Sequence, residues 1–261
     1  PDVDAHDMNE STTARRSVGL VRFDVMPLES AINVILESSG SGRDVHFANA
    51  FSIALAERDR SFSDLLAKAS LVFSDGVPVG WVGRLAHKDV AARWERVYGP
   101  DVMLGVFARS DRERDRHYLL GGSPRTLAGL ETCLRARFPS ASIVGSESPP
   151  FRPPTPRELA ERDERIRASG ANLVWVGLGT PQQDFEVQRL AAALPVTALG
   201  VGAAFDFLAG TKPQAPLWMQ RGGLEWAFRL GTEPRRLGWR YAWGNTVFGI
   251  AAVRTLRGRT P

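Results

Sequence analysis

The sequence predicts an α/β fold: a mostly parallel sheet with helices on both faces, followed by a C-terminal helical appendage rich in Arg and Trp. Short apolar runs of strand length alternate with longer stretches of helical periodicity. Most of these runs end in glycine or a small polar residue, as parallel strands feeding helices do. Beyond about Gly210 the composition shifts, and Trp218, Trp226, Trp239 and Trp243 all fall in the last quarter of the chain.

Residues 1–17 are polar and aperiodic, which reads as a disordered leader. Val21–Val25 reads as a strand and Leu28–Glu37 as a helix, with a Gly/Ser turn after it. Val45–Ala48 predicts a strand ending at Asn49, then helical stretches over 51–58 and 63–69. Leu71–Phe73 is a strand stopped by Ser74-Asp75-Gly76, with another helix from about Pro78 and one more running to about Arg109. Tyr118–Leu120, the turn Gly121-Gly122-Ser123, the helix 124–138 and the strand 142–144 make a βαβ unit. A proline-rich loop precedes the charged helix 156–168. Val174–Gly177 reads as a buried central strand, and Val196–Val201 as another that turns through glycines into 203–208. This is a Rossmann-like alternation. Thr180 is expected to N-cap the helix after Gly177-Leu178-Gly179, with Pro181 first in it and Gln183 at the capping-box position. The expected organisation is a leader over 1–17, a core over 18–215 and an appendage over 216–261.

A hydrophobic fraction of 43% with 24% charge fits a soluble globular chain rather than a disordered one. The single cysteine, Cys133, excludes a disulfide framework and falls in a helical run as a packing residue. No signal peptide is recognisable and no apolar run reaches bilayer-spanning length, so the expected location is cytoplasmic. Net charge is +4, unevenly spread: from Arg229 onward seven arginines face one acid, Glu233. With three lysines and thirty arginines in the chain, some of that cluster is compositional bias.

Ligands of parallel sheets gather at the strands' carboxyl ends. Asn49, Asp75, Gly121-Gly122, Gly179-Thr180 and Gly202 all follow strands. The segment 174–184 feeds a helix N-terminus whose free N–H groups suit an anion. Gln182 replaces the third glycine of a dinucleotide fingerprint, and no Walker lysine motif exists, so NAD and a nucleoside triphosphatase are disfavoured. Gly121-Gly122 reads either as a second phosphate loop or as a plain turn. Asp75 reads either as a general base or as a turn-forming Asp-Gly. The histidines show no ligand spacing, and the only Asp-x-Asp is Asp2-Val3-Asp4, so no metal is expected. The segment 224–241 interleaves aromatic and basic residues. It suits an anionic membrane, nucleic acid or a diphosphate, or is simply a solvated face.

A series of blocks in order resembles the WecG/TagA/CpsF family of bacterial glycosyltransferases (family 26). They are Ser74-Asp75-Gly76, Glu95-Arg96-Val97-Tyr98-Gly99, Leu120-Gly121-Gly122-Ser123-Pro124, Val176–Gln183, Gly200–Gly210, Ala215-Pro216 and Leu224-Glu225-Trp226 through Glu233-Pro234-Arg235-Arg236. The resemblance implies a metal-independent, inverting hexosyltransferase moving a sugar from a UDP-sugar (UDP-Glc, UDP-ManNAc or a uronic acid) to a polyprenyl-diphosphate-linked acceptor. It places the protein peripherally on the inner face of the plasma membrane, with no nucleic-acid partner and homo-oligomerisation left open. Carried over by motif, Asp75 is the general base, and Asn49 and Arg96 line the sugar pocket. Gly121, Gly122, Gly179, Gln183 and Asp206 hold the nucleotide, while Arg229, Arg236 and Arg240 close over the diphosphate from the appendage. Phe47 stands where the family has Thr, and Gln182 where it has Lys. A nucleotide-sugar-binding protein without full catalytic power, or a membrane adaptor, is the alternative. Truncation before Leu224 is expected to leave a soluble core unable to transfer.

Overall fold

The computed structural model describes residues 14–259, without the side chain of Arg236. Positions 1–13 of the expected leader lie outside the described residues. Positions 14–17 do not belong to a leader: β1 (Ala14–Val18) pairs antiparallel with β2 (Val21–Val25), from Ala14↔Val25 to Val18↔Val21. Val18, Val21 and Phe23 supply the burial that a polar reading of Arg15-Arg16 hides. Arg15 itself pairs with buried Asp24 at 2.8 Å.

The remaining strands form one parallel sheet in the order β4-β3-β8-β7-β5-β6. They are β3 (Asp44–Ala48), β4 (Leu71–Ser74), β5 (Arg116–Gly121), β6 (Ser142–Glu147), β7 (Leu173–Gly177) and β8 (Thr197–Gly200). Side chains alternate across a strand, so each central strand feeds both faces. Phe47, Phe73, Leu119, Trp175 and Leu199 enter one core with α1 (Leu28–Glu37) and α5 (Gly99–Arg109). Leu120, Val174, Val176 and Ala198 enter the opposite core under α8 (Gln182–Ala193). Burial on both faces explains why these strands read as continuous apolar runs.

The hairpin covers the sheet edge at β4, where Val72 N–H donates to Asp24 Oδ2 at 2.9 Å. A third core lies beneath it, completed by α2 (Ala50–Ala56), α3 (Arg60–Lys68) and α4 (Val77–Ala86). Elsewhere α6 (Pro124–Arg137), α7 (Pro156–Ser169) and the short α9 (Ala204–Leu208) follow β5, β6 and β8.

Beyond the core come α10 (Leu217–Arg221), α11 (Glu225–Thr232) and α12 (Pro234–Leu256). The last is not a detachable appendage. Ala251 and Ala252 are buried in the third core beside Val18, Phe23 and Ile53. Gly19 N–H donates to Thr255 Oγ1 at 2.9 Å, and Arg254 pairs with Glu57. Gly19 (φ +59) lies against this helix, and a Cβ there would approach Ala251 to 3.2 Å and Glu57 to 2.8 Å. This packing argues against a soluble core once the last helix is removed. A chain ending before Pro234 is expected to lose at least about 3 kcal/mol of stability from the exposed apolar surface. Insolubility, or a markedly lower melting temperature by circular dichroism, checks it.

Candidate active site

The carboxyl ends of β3, β4, β5, β7 and β8 open into a cleft of about 1080 Å3. Asn49, Asp75, Gly122, Gly179, Gln183, Asp206, Arg229 and Arg240 all line it, so most of the sequence-predicted residues converge. A smaller chamber of about 260 Å3 adjoins, walled by Phe51, Trp226, Leu237, Tyr241 and Phe248. Asn49, Asp75, Glu225, Arg229 and Arg240 belong to both spaces. Asp75 therefore stands where a polar cleft meets an aromatic one.

Asp75 follows β4 directly, its own N–H bonded to Ala48 O at 3.1 Å, and Gly76 caps α4. Its Oδ1 accepts from Gly99 N–H at 3.0 Å. Burial of the carboxylate raises its pKa to about 6, against the opposing Arg96 charge and the Gly99 hydrogen bond; Glu225 adds to the rise and Arg229 opposes it. The helix N-terminus beside it does not dominate: desolvation wins.

Arg96 lines the smaller chamber beside Asp75 and is held there by several contacts. Its Nε donates to Asp75 O at 2.7 Å, its Nη2 to Glu225 Oε2 at 2.6 Å, and its guanidinium lies 3.7 Å from the Tyr98 ring centroid. Asn49 is also partly committed. Its Oδ1 accepts from Phe51 and Ser52 N–H as the cap of α2, which leaves the amide NH2 for a ligand.

The predicted cap of α8 is not formed. Pro181, not Thr180, occupies the cap position and carries no side-chain cap bond. Gln183 instead reaches back: its Oε1 accepts from Gly179 N–H at 3.0 Å and its Nε2 donates to Gly200 O at 2.8 Å. It is 4% exposed, so it shapes the turn more than it presents a group. Gly179 (φ +80) has open space where a Cβ would stand. Gly121 lies behind the cleft, where a Cβ would come within 2.5 Å of Gly177 O, and Gly122 (φ +70) forms the adjoining wall.

Asp206 accepts from Thr211 Oγ1 at 3.1 Å and pairs with Lys212 at 2.9 Å. Arg229 lies 5.8 Å from the Phe207 ring centroid, and Arg240 stacks 3.6 Å from that of Phe51. The side chain of Arg236 lies outside the described residues, although its backbone is helical.

Sequence reasoning missed Tyr98, Lys212 and Glu225. The signals were present. Lys212 is one of three lysines in a chain that otherwise uses arginine, and Glu225 is the only acid between Arg221 and Arg229.

Beneath the rim, His46 of β3 is fully buried between Asp184 (Nδ1 to Oδ1, 3.0 Å) and Asp44 (Nε2 to Oδ2, 3.1 Å). Burial opposes its charge, yet the hydrogen bonds and charges of the two carboxylates outweigh it and raise the pKa to about 9. Asp44 is likewise opposed by burial, but bonds from His46 and Ser70 lower it to about 2. Among the described residues no group of three or more His, Cys, Asp or Glu side chains is placed to hold a metal ion.

A parallel α/β sheet with a polar cleft at its strand ends defines a ligand-binding enzyme class of the doubly wound kind. The sequence model of the Glycosyl transferase WecG/TagA/CpsF family matches residues 16–261, so the chain belongs to that family. It is a glycosyltransferase of cell-surface polysaccharide biosynthesis.

The buried imidazolium has a measurable consequence. A histidine with a raised folded-state pKa stabilises most below its unfolded value near 6.5, and the contribution is lost as pH rises through about 9. Urea midpoints are expected to fall between those pH values. His46→Gln is expected to be destabilised at pH 6 and to show a flatter dependence over the same window.

Proposed function

We propose that the protein is an inverting, metal-independent hexosyltransferase that moves a sugar from a UDP-sugar to a polyprenyl-diphosphate-linked acceptor. The observation that carries this reading is the position of Asp75 at the junction of the polar cleft and the aromatic chamber. The donor occupies the cleft, and the acceptor hydroxyl enters from the chamber side. Asp75 takes the proton of that hydroxyl as its oxygen bonds to the anomeric carbon from the face opposite the leaving group. The bond from that carbon to the phosphate oxygen breaks, and UDP departs with the electron pair.

Charge on the departing diphosphate is met by Arg229 and Arg240, while the N–H groups of Gly122 and Gly179 hold the turns in place through Gly177 O and Gln183 Oε1. These cations support a mechanism without metal. Asp206 completes the nucleotide wall, with Gly121 packed behind it. Gln183 serves by holding the Gly179 turn. Asn49 offers its amide to the sugar, and Phe47 gives that part of the pocket an apolar face.

Docking at the inner face of the plasma membrane is supported by an outward surface on the last helices. Leu217 and Trp218 are each 67% exposed and Trp239 is 81% exposed, beside Arg221 and Arg235. Among the described residues no helix is long and apolar enough to cross a membrane. Such a surface suits the bilayer interface, with Trp at headgroup depth and Arg on anionic lipid.

A turnover screen of UDP-Glc, UDP-ManNAc, UDP-GlcNAc and their uronic acids, with a polyprenyl-diphosphate acceptor, tests the reading. Asp75→Asn is expected to lose at least about a hundredfold in kcat with nearly unchanged UDP affinity. Undiminished transfer by that variant overturns the assignment of the base. In the wild type, kcat/KM should rise with pH through about 6 and then level, because the base acts deprotonated. Replacing Trp218 and Trp239 together by Ser is expected to weaken binding to phosphatidylserine vesicles roughly tenfold in a sedimentation assay. Unchanged sedimentation excludes this surface as the docking element.

A further inference from the structure

Glu225 is the acid that the proposed mechanism leaves unused, and its surroundings are the most closely specified in the cleft. It opens α11, in the segment that follows the sheet core, and is half-buried rather than solvated. Its Oε2 accepts from Arg96 Nη2 at 2.6 Å and its Oε1 from Tyr98 OH at 3.0 Å. Gln214 Nε2 donates in turn to Tyr98 OH at 3.3 Å. The other edge of the Arg96 fork holds the carbonyl of Asp75 at 2.7 Å. One guanidinium thus spans the backbone of the base and a carboxylate brought in from the C-terminal helices.

We infer that Glu225 is a positioning residue that fixes Arg96 against the backbone of Asp75. The inference rests on Asp75 acting as the base. Without Glu225, Arg96 loses its second anchor and the loop from Asp75 to Gly99 loses its tie to α11. The arrangement is electrostatic as well as geometric. Charged or titratable groups around Asp75 are Arg96 and Tyr98 from the loop after α4, Asp101 from α5, Glu225 and Arg229 from α11, and Arg240 from α12. Burial dominates the raised proton affinity of Asp75; Glu225 adds to it with its negative charge, and Arg229 of the same helix opposes it.

The test uses the full chain with the UDP-sugar that the wild type turns over, alongside carbon NMR titration of the Asp75 carboxyl. Glu225→Gln keeps the shape and removes the charge. Its Asp75 titration and the acid limb of kcat/KM are expected to move to lower pH, with kcat/KM down roughly tenfold to a hundredfold from lost alignment. Arg96→Met, which removes the opposing charge, is expected to move the Asp75 titration upward and also to lower kcat. Opposite displacements by two variants of one ion pair are not what loss of packing produces. Wild-type kcat/KM in Glu225→Gln overturns the inference even if the Asp75 titration moves. Should Glu225→Gln fail to fold, undiminished kcat/KM in Arg96→Met overturns it instead. A moved titration alongside a wild-type acid limb that does not coincide with Asp75 refutes Asp75 as base while leaving the electrostatic coupling in place.

Discussion

Two adjacent residues in the first turn of α8 hold the site together. Gln183 ties the Gly179 turn to Gly200 at the end of β8, and Asp184 grips His46 in β3. One helix start is thereby fixed to the turn after β7, the end of β8 and the middle of β3. The Asp184 contact is a charged one in a dry place, where an uncompensated ion is costly and a well-bonded one is directional. A buried imidazolium between two carboxylates does not add much net stability over apolar packing. It does set which way the helix faces, and the Gly179 turn and Asn49 are placed accordingly.

Asp75 shows the same competition resolved the other way. Arg96, Arg229 and the Gly99 N–H all favour its ionised form, yet burial outweighs them and the carboxyl holds its proton more tightly than usual. His46 keeps its charge because its partners touch it, whereas the guanidinium of Arg96 reaches the carbonyl of Asp75 rather than its carboxylate. The difference between the two buried ions is a matter of which atoms are bonded. A carboxylate touched by Arg would be a poorer base.

Much of this was legible in the sequence, and for a physical reason. Strands buried on both faces write continuous apolar runs, so β7 was bounded to within a residue; β2 showed instead as the alternating Val21, Phe23 and Val25, and the helix 28–37 was marked by its own period. The polar residues after each strand named the rim because a parallel sheet places all such ends together. What failed were features that depend on distant partners. The cap at Thr180 had the right local pattern, but Gln183 found better acceptors and donors across the cleft. Arg15-Arg16 looked like a solvated leader because the burial of β1 comes from Val18 and from pairing with β2. Arg96 gave no hint that Glu225, far along the chain, would claim it. The depth to which α12 is embedded was hidden by composition: tryptophans and arginines advertise its outer surface, while Ala251, Ala252 and Thr255 enter the core and Leu237 and Val247 are also buried.

The joining of the first hairpin to the last helix also bears on how the chain acquires its shape. The hydrogen bond from Gly19 to Thr255 closes a loop of 236 residues, and the core it seals contains Val18, Phe23, Ile53 and Ala251. Contacts of such separation carry a large loop-closure cost and form late. During synthesis the apolar underside of the hairpin waits uncovered until nearly all the chain has emerged. Maturation of the cleft is thus timed by the arrival of α12. An incomplete chain holds Asp75 and the turns at the strand ends but lacks Arg240, which reaches the cleft from α12.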